Sequence, residues 1–142
     1  MPRQATILVA DDDPNDLLFL ELAVKKSGLG HLVRTVRDGE EAIDYLSGNP
    51  PFTDRTQAPL PDLFLLDLKM PKKNGFEVLL WLQGQESVRQ IPVVVLSGSA
   101  LETDKEEAIA LGAREYRVKP FVEELVGLVK ELDARWLCNN AR

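Results

Sequence analysis

Three short apolar runs, Ile7-Leu8-Val9-Ala10, Leu63-Phe64-Leu65-Leu66 and Val93-Val94-Val95-Leu96, constrain the fold of this chain more than any other feature. Successive strand side chains point to opposite faces, so a strand without polar alternation needs cover on both sides. Runs this short, bounded by proline or aspartate, read as buried strands, and the third is rich in β-branched residues. Two less apolar runs join them, Leu32-Val33-Arg34-Thr35-Val36 and Glu115-Tyr116-Arg117-Val118.

Helical patterns lie between the runs. Asp12 or Asp13 can cap a first helix with Pro14 in its first turn. Leu17, Leu18, Glu21, Leu22 and Lys25 then divide an apolar stripe from a polar one, and Gly28 ends the helix. Asp38-Gly39 opens a second helix with Ala42, Ile43 and Leu46 on one face, and Asn74-Gly75 a third carrying Phe76, Leu79, Leu80 and Leu82. Residues 103–111 make a charged fourth helix stopped by Gly112. Phe121, Leu125, Leu128, Val129, Leu132 and Trp136, spaced by three and four, mark a fifth. Five strands alternating with five helices predict an α/β fold, a parallel sheet covered on both faces. The reading is one domain over residues 1–142, with its core at about 5–135 and no output domain. Residues 47–61, with Pro50, Pro51, Pro59 and Pro61, form a loop long enough to be functional or mobile.

Composition narrows the partners. A net charge of -6 argues against nucleic acid, and no apolar stretch nears the roughly 20 residues that span a bilayer. Met1-Pro2-Arg3-Gln4 leads straight into a strand without a signal-peptide core. The single cysteine, Cys138, cannot form an internal disulfide, which favours the cytoplasm.

Ligands of such sheets bind beyond the carboxyl ends of the strands. There the chain carries Asp11-Asp12-Asp13 after the first strand, Asp67 after the third, Ser97 at the end of the fourth and Lys119-Pro120 after the fifth. The second strand ends near Arg37-Asp38 with nothing distinctive. Like charges about 4 Å apart cost on the order of 4 kcal/mol per pair at an effective dielectric near 20. Taken singly, each residue reads as a turn, a cap or a loop. Together the acids suit a hard divalent cation, and the hydroxyl and ammonium suit a phosphoryl group. The constellation points to Mg²⁺-assisted phosphoryl chemistry.

Four segments carry a resemblance: Ile7-Leu8-Val9-Ala10-Asp11-Asp12-Asp13-Pro14, Leu65-Leu66-Asp67-Leu68-Lys69-Met70-Pro71 with Gly75, Val94-Val95-Leu96-Ser97, and Tyr116-Arg117-Val118-Lys119-Pro120-Phe121. Over residues 5 to about 135 the chain is similar to the receiver domain of two-component response regulators. The resemblance implies a doubly wound, flavodoxin-like (βα)5 fold with strand order 2-1-3-4-5. It implies that Asp67 is phosphorylated by a histidine kinase or a relay phosphohistidine; spacing alone does not say which aspartate. It makes Asp12 and Asp67 direct Mg²⁺ ligands, with the backbone carbonyl of Lys69 completing the set and Asp11 acting through water. Asp13 falls where no acid is required and reads as a helix cap. Lys119 offsets charge, Ser97 turns towards the phosphoryl group, and Tyr116 follows to a buried rotamer. That reshapes the face of the fourth helix, fifth strand and fifth helix, for a protein partner, onward phosphorelay or a homodimer. The implied protein is not an enzyme beyond its own phosphorylation and slow dephosphorylation.

The long loop, with its Leu65-Leu66-Asp67-Leu68 and Pro71-Lys72-Lys73 context, is similar to regulators paired with bacterial phytochromes. It either contacts the kinase or is tolerated as cheap length. Lys69, two residues past Asp67, either shields an acyl phosphate from water or is a plain solvated lysine. His31 reads as a surface turn residue, Trp81 as packing, and Trp136-Leu137 as docking on this chain or another. Two rival readings are a phosphohydrolase of the haloacid dehalogenase type and a flavin-binding module. The first lacks a second acid at position 69, and the second lacks a phosphate-cradling loop after the first strand.

Overall fold

The computed structural model describes residues 4–137, so the expectations resting on Met1-Pro2-Arg3 and on Cys138 lie outside the described residues. Five strands, β1 (Thr6–Ala10), β2 (Leu32–Val36), β3 (Leu63–Leu66), β4 (Val93–Ser97) and β5 (Glu115–Val118), form one parallel sheet in the order β2-β1-β3-β4-β5. In register, Ile7 lies opposite Val33 on one side and Leu63 on the other. The chain reverses its direction of winding at β1, which makes the crevice beyond the ends of β1 and β3 the topological switch point.

The unbroken apolar runs resolve into two cores. Leu8, Ala10, Phe64, Leu66, Val93 and Val95 face one layer, built by α2 (Gly39–Ser47), α3 (Gly75–Gln83) and α4 (Glu102–Ala110). Ile7, Val9, Leu63, Leu65, Val94 and Leu96 face the other, built by α1 (Pro14–Ser27) and α5 (Leu125–Leu132). Burying each such side chain is worth roughly 1.5–3 kcal/mol. Both faces are dry, which is why these strands show no polar alternation.

Local signals end the elements as read. Asp13 caps α1 by accepting the Asn15 N–H at 2.9 Å, and Gly28 closes that helix in the left-handed conformation at φ 75°. Asp38 caps α2 through the Glu41 N–H at 2.8 Å. Two glycines are required by space. A Cβ on Gly75 would meet the Asp67 carbonyl and Leu68 Cα, and one on Gly39 would meet the Lys73 carbonyl. Only bare backbone lets the segment after β3 lie between these helix starts.

The structure corrects several readings. In α1 the buried side is Leu17, Leu20, Ala23 and Val24, while Leu18 and Leu22 face solvent. Leu80 is likewise exposed on α3. Phe121 is 78% exposed and precedes the fifth helix. It follows Pro120 in extended backbone, then a single 3₁₀ turn (Val122–Glu124) leads into α5, so its spacing to Leu125 is not helical. α5 widens into a π-helical turn, Asp133–Leu137, where Trp136 packs partly buried on this chain's own core. Trp81 packs against the opposite layer.

His31 is not a surface turn residue. Its side chain is 4% exposed, its Nδ1 accepts the Ala5 N–H at 3.0 Å, and its Nε2 lies 2.7 Å from Asp133 Oδ1. With Nδ1 accepting, Nε2 is the nitrogen that carries the proton and donates. The ring thus ties the start of β1 to the turn after α5.

The 47–61 loop is held down at several points. Arg55 donates to the carbonyls of Tyr45 (2.7 Å), Leu46 (3.1 Å) and Ala58 (3.1 Å), covering the end of α2. The Tyr45 hydroxyl donates to Pro59 O at 2.8 Å, and its ring meets Phe52 at 5.0 Å. Among the described residues, no buried side-chain nitrogen or oxygen lacks a partner.

Candidate functional site

The switch-point crevice gathers the strand-end residues. β1 carries Asp11 into it buried and Asp12 exposed. Asp67 follows β3, buried, with its N–H bonded to Ala10 O at 3.0 Å, so adjacent ladders fix both acids. One carboxylate oxygen each from Asp11, Asp12 and Asp67 lies within 4.8 Å of the others. Asp13 turns away to cap α1, while its N–H donates to Asp11 Oδ1 at 3.0 Å.

Lys119 supplies the counter-charge. Its backbone N–H bonds Ser97 O at 2.7 Å, which sets the side chain across the ends of the strands. Its ammonium donates to Asp11 Oδ2 (2.8 Å), Asp16 Oδ2 (2.8 Å) and Asp67 Oδ2 (3.1 Å). Burial raises the pKa of Asp11 above the ordinary carboxylate range, only partly offset by its hydrogen bonds from Lys119 and Asp13 N–H. Burial alone would depress Lys119, but the bonds to Asp11 and Asp16 and the charge of Asp67 outweigh it, and its pKa is raised.

Three carboxylates, Asp11, Asp16 and Asp67, therefore share one ammonium, and a fourth, Asp12, stands beside Asp11 and Asp67. One lysine cannot balance them. The surplus negative charge, presented by oxygen donors only, fits a hard divalent cation. Lys69 lies beside it, its N–H 3.4 Å from Asp67 Oδ1. The acids open on a groove of about 670 Å³ that reaches Lys69, Ser97 and Leu101.

On the far side, Ser97 is buried and its Oγ accepts the Ser99 N–H at 3.1 Å. Ser99 donates to Asp104 Oδ2 at 2.6 Å, and its carbonyl accepts the Tyr116 hydroxyl at 2.8 Å. Tyr116 is thus half-buried against the α2–α4 layer and tied to the segment after β4.

Asp11, Asp12, Asp67, Lys69, Ser97 and Lys119 line one groove, and Tyr116 joins through Ser99. Asp16, Ser99 and Asp104 were not anticipated. Asp16 carried a signal: it sits in the first turn of α1, directly above the end of β1. Such an acid ordinarily only favours the helix dipole. The links from Ser99 have no local signature.

Residues 7–130 match the model of the response regulator receiver domain. Response regulator Rcp1 of Synechocystis sp. is 32% identical over 92% of this chain and 88% of its own length. The probable methanogenesis regulatory protein FilR2 of Methanothrix harundinacea is 33% identical over 92% of this chain and 83% of its own. The crystal structure of the phosphorylated cyanobacterial phytochrome response regulator RcpA has a TM-score of 0.87, at 36% identity and 96% coverage of each chain. The Mn²⁺-bound form of Rcp1 has a TM-score of 0.81, at 31% identity and 94% coverage of each chain. These matches favour a signalling role over the phosphohydrolase and flavin-module alternatives. The chain belongs to the response regulator receiver domain family, whose general function is signalling through a phosphorylated aspartate.

Proposed function

We propose that Asp67 is the phosphoacceptor of this chain. The observation that carries the reading is the buried Asp67 carboxylate at the switch point, 3.1 Å from the Lys119 ammonium and beside Asp11 and Asp12. An Asp67 oxygen attacks phosphorus in line, an O–P bond forms, and the N–P bond of a donor phosphohistidine breaks. The leaving imidazole keeps the electron pair. Lys119 meets charge developing on the phosphoryl oxygens, and the ladders holding β1 and β3 keep the acids in place. Asp12, Asp67 and the Lys69 carbonyl would hold Mg²⁺, with Asp11 acting through water; its chemistry is Lewis-acid neutralisation of phosphoryl oxygens.

The product carries roughly -1.5 to -2 charge, on phosphate-like values, where a carboxylate carried about -1. Ser97 donates to it, and because Ser97 and Tyr116 both bond Ser99, the change reaches α4 and β5. The face of α4, β5 and α5 is the output surface, for a protein partner, a phosphotransfer protein or a second copy of this chain. Exposed Leu101, Ile109 and Val118 support that assignment. The likeness to RcpA supports a bacterial phytochrome as the sensor kinase, and a cytoplasmic location follows from such a partner. Among the described residues no helix is long and apolar enough to cross a membrane.

The test is transfer of labelled phosphoryl from a phosphohistidine donor with Mg²⁺, against a chelator control and Asp67→Ala. Label on the wild type alone supports the reading; label that persists on Asp67→Ala overturns it.

A further inference from the structure

Asp16 stands outside the trio of clustered acids, yet it takes one of the three ammonium hydrogens of Lys119. Its Oδ2 lies 2.8 Å from Nζ, as near as that of Asp11 and nearer than that of Asp67 at 3.1 Å. An ammonium has three donors, and all three are committed to carboxylates. The lysine stem is flexible and its charge is a point rather than a fork. Two anchors from separate elements, Asp11 behind β1 and Asp16 on α1, fix Nζ and leave its third hydrogen facing Asp67. Packing does not explain Asp16, whose side chain is 38% exposed. Nor does the helix dipole, which would favour an acid there without directing it to a lysine 103 residues away.

We propose that Asp16 is a positioning residue for phosphoryl transfer, acting through Lys119. The inference rests on the role proposed above for Lys119. Asp16 holds the ammonium where a phosphoryl group arriving at Asp67 meets it, so that little reorganisation is needed in the transition state. An unanchored lysine would sample solvent-directed rotamers and cost rate rather than donor binding.

The experiment measures phosphorylation by a small acyl-phosphate donor with Mg²⁺ in wild type, Asp16→Ala, Asp16→Asn and Asp16→Glu, resolving saturating rate from half-saturating donor concentration. The Lys119 ammonium resonance is followed by NMR without donor. Asp16→Ala should lower the saturating rate about tenfold, the size of a modest misplacement. Its half-saturating concentration should stay level or fall, since an anion facing the anionic donor has gone. Asp16→Asn, which keeps an acceptor oxygen, should fall between, and Asp16→Glu should restore most of the rate. The Lys119 ammonium signal, protected from exchange in the wild type, should broaden away in Asp16→Ala. A wild-type saturating rate in Asp16→Ala, or no rescue by Glu, overturns the proposal. Should Asp16→Ala not fold, Asn and Glu decide by the same readouts. A wild type that takes no phosphoryl group refutes the function proposed for Asp67; the NMR comparison still decides this inference, and an unchanged Lys119 signal overturns it.

Discussion

Replacing Asp12 by asparagine should stabilise the protein in the absence of divalent cations and abolish its stabilisation by Mg²⁺. Asp12 is exposed, and one of its oxygens lies within 4.8 Å of Asp11 and Asp67 oxygens. At that separation each like-charge pair costs about 3.5 kcal/mol at an effective dielectric of 20 and about 0.9 kcal/mol in water. Lys119 contacts Asp11 and Asp67, offsetting part of the repulsion. Screening at an exposed group brings the total towards the lower limit. Relief of about 1–2 kcal/mol follows, a rise in melting temperature of about 3–7 °C for a domain of this size. In the wild type, Mg²⁺ at a hundredfold excess over its Kd adds about 2.7 kcal/mol. Thermal unfolding with chelator, with Mg²⁺, and with sodium chloride at matched ionic strength separates specific binding from screening. A lower melting temperature for Asp12→Asn in chelator would refute the repulsion argument. A Mg²⁺ increment as large as the wild type's would refute the assignment of Asp12 to the cation.

Three further outcomes follow from particular contacts. The exposed Lys69 lines the groove on which Asp67 opens, so Lys69→Ala should shorten the lifetime of the phosphorylated protein several-fold by admitting water to Asp67; an equally durable acyl phosphate in a discharge assay removes the shielding role. Arg55→Ala should cost about 2 kcal/mol, since its guanidinium serves three carbonyls at the end of α2; a denaturation midpoint equal to wild type contradicts the loop's part in stability. Gly39→Ala drives a Cβ into the Lys73 carbonyl and should displace the segment after β3; it should weaken both Mg²⁺-induced stabilisation and phosphorylation, and unchanged values in both assays contradict that coupling.

The sheet was legible because two-sided burial leaves a local mark: Ile7 and Val9 serve one core, Leu8 and Ala10 the other, and none of them can be polar. The site was legible because strands deliver their last residues to one edge, so Asp11, Asp67, Ser97 and Lys119 converge whatever the helices do. The α1 stripe was misread because Leu18 and Leu22 are as apolar as Leu17 and Leu20, and hydrophobicity does not name the face that meets the sheet. His31 was misread for another reason. Its partners, Ala5 and Asp133, stand 26 and 102 residues away, and only the assembled fold brings them to one ring. Arg55 likewise acts through contacts with no local sequence pattern, and the place of Asp16 in the first turn of α1 does not name Lys119, 103 residues away, as its partner.

The most direct measurement is chemical mapping of the phosphorylated residue. Borohydride reduction of the freshly phosphorylated protein converts an aspartyl phosphate to homoserine, which peptide mass spectrometry locates. The account predicts homoserine at position 67 alone, dependent on Mg²⁺ and lost in Asp67→Ala. Reduction at Asp11, Asp12 or Asp16, with position 67 unchanged, would contradict it.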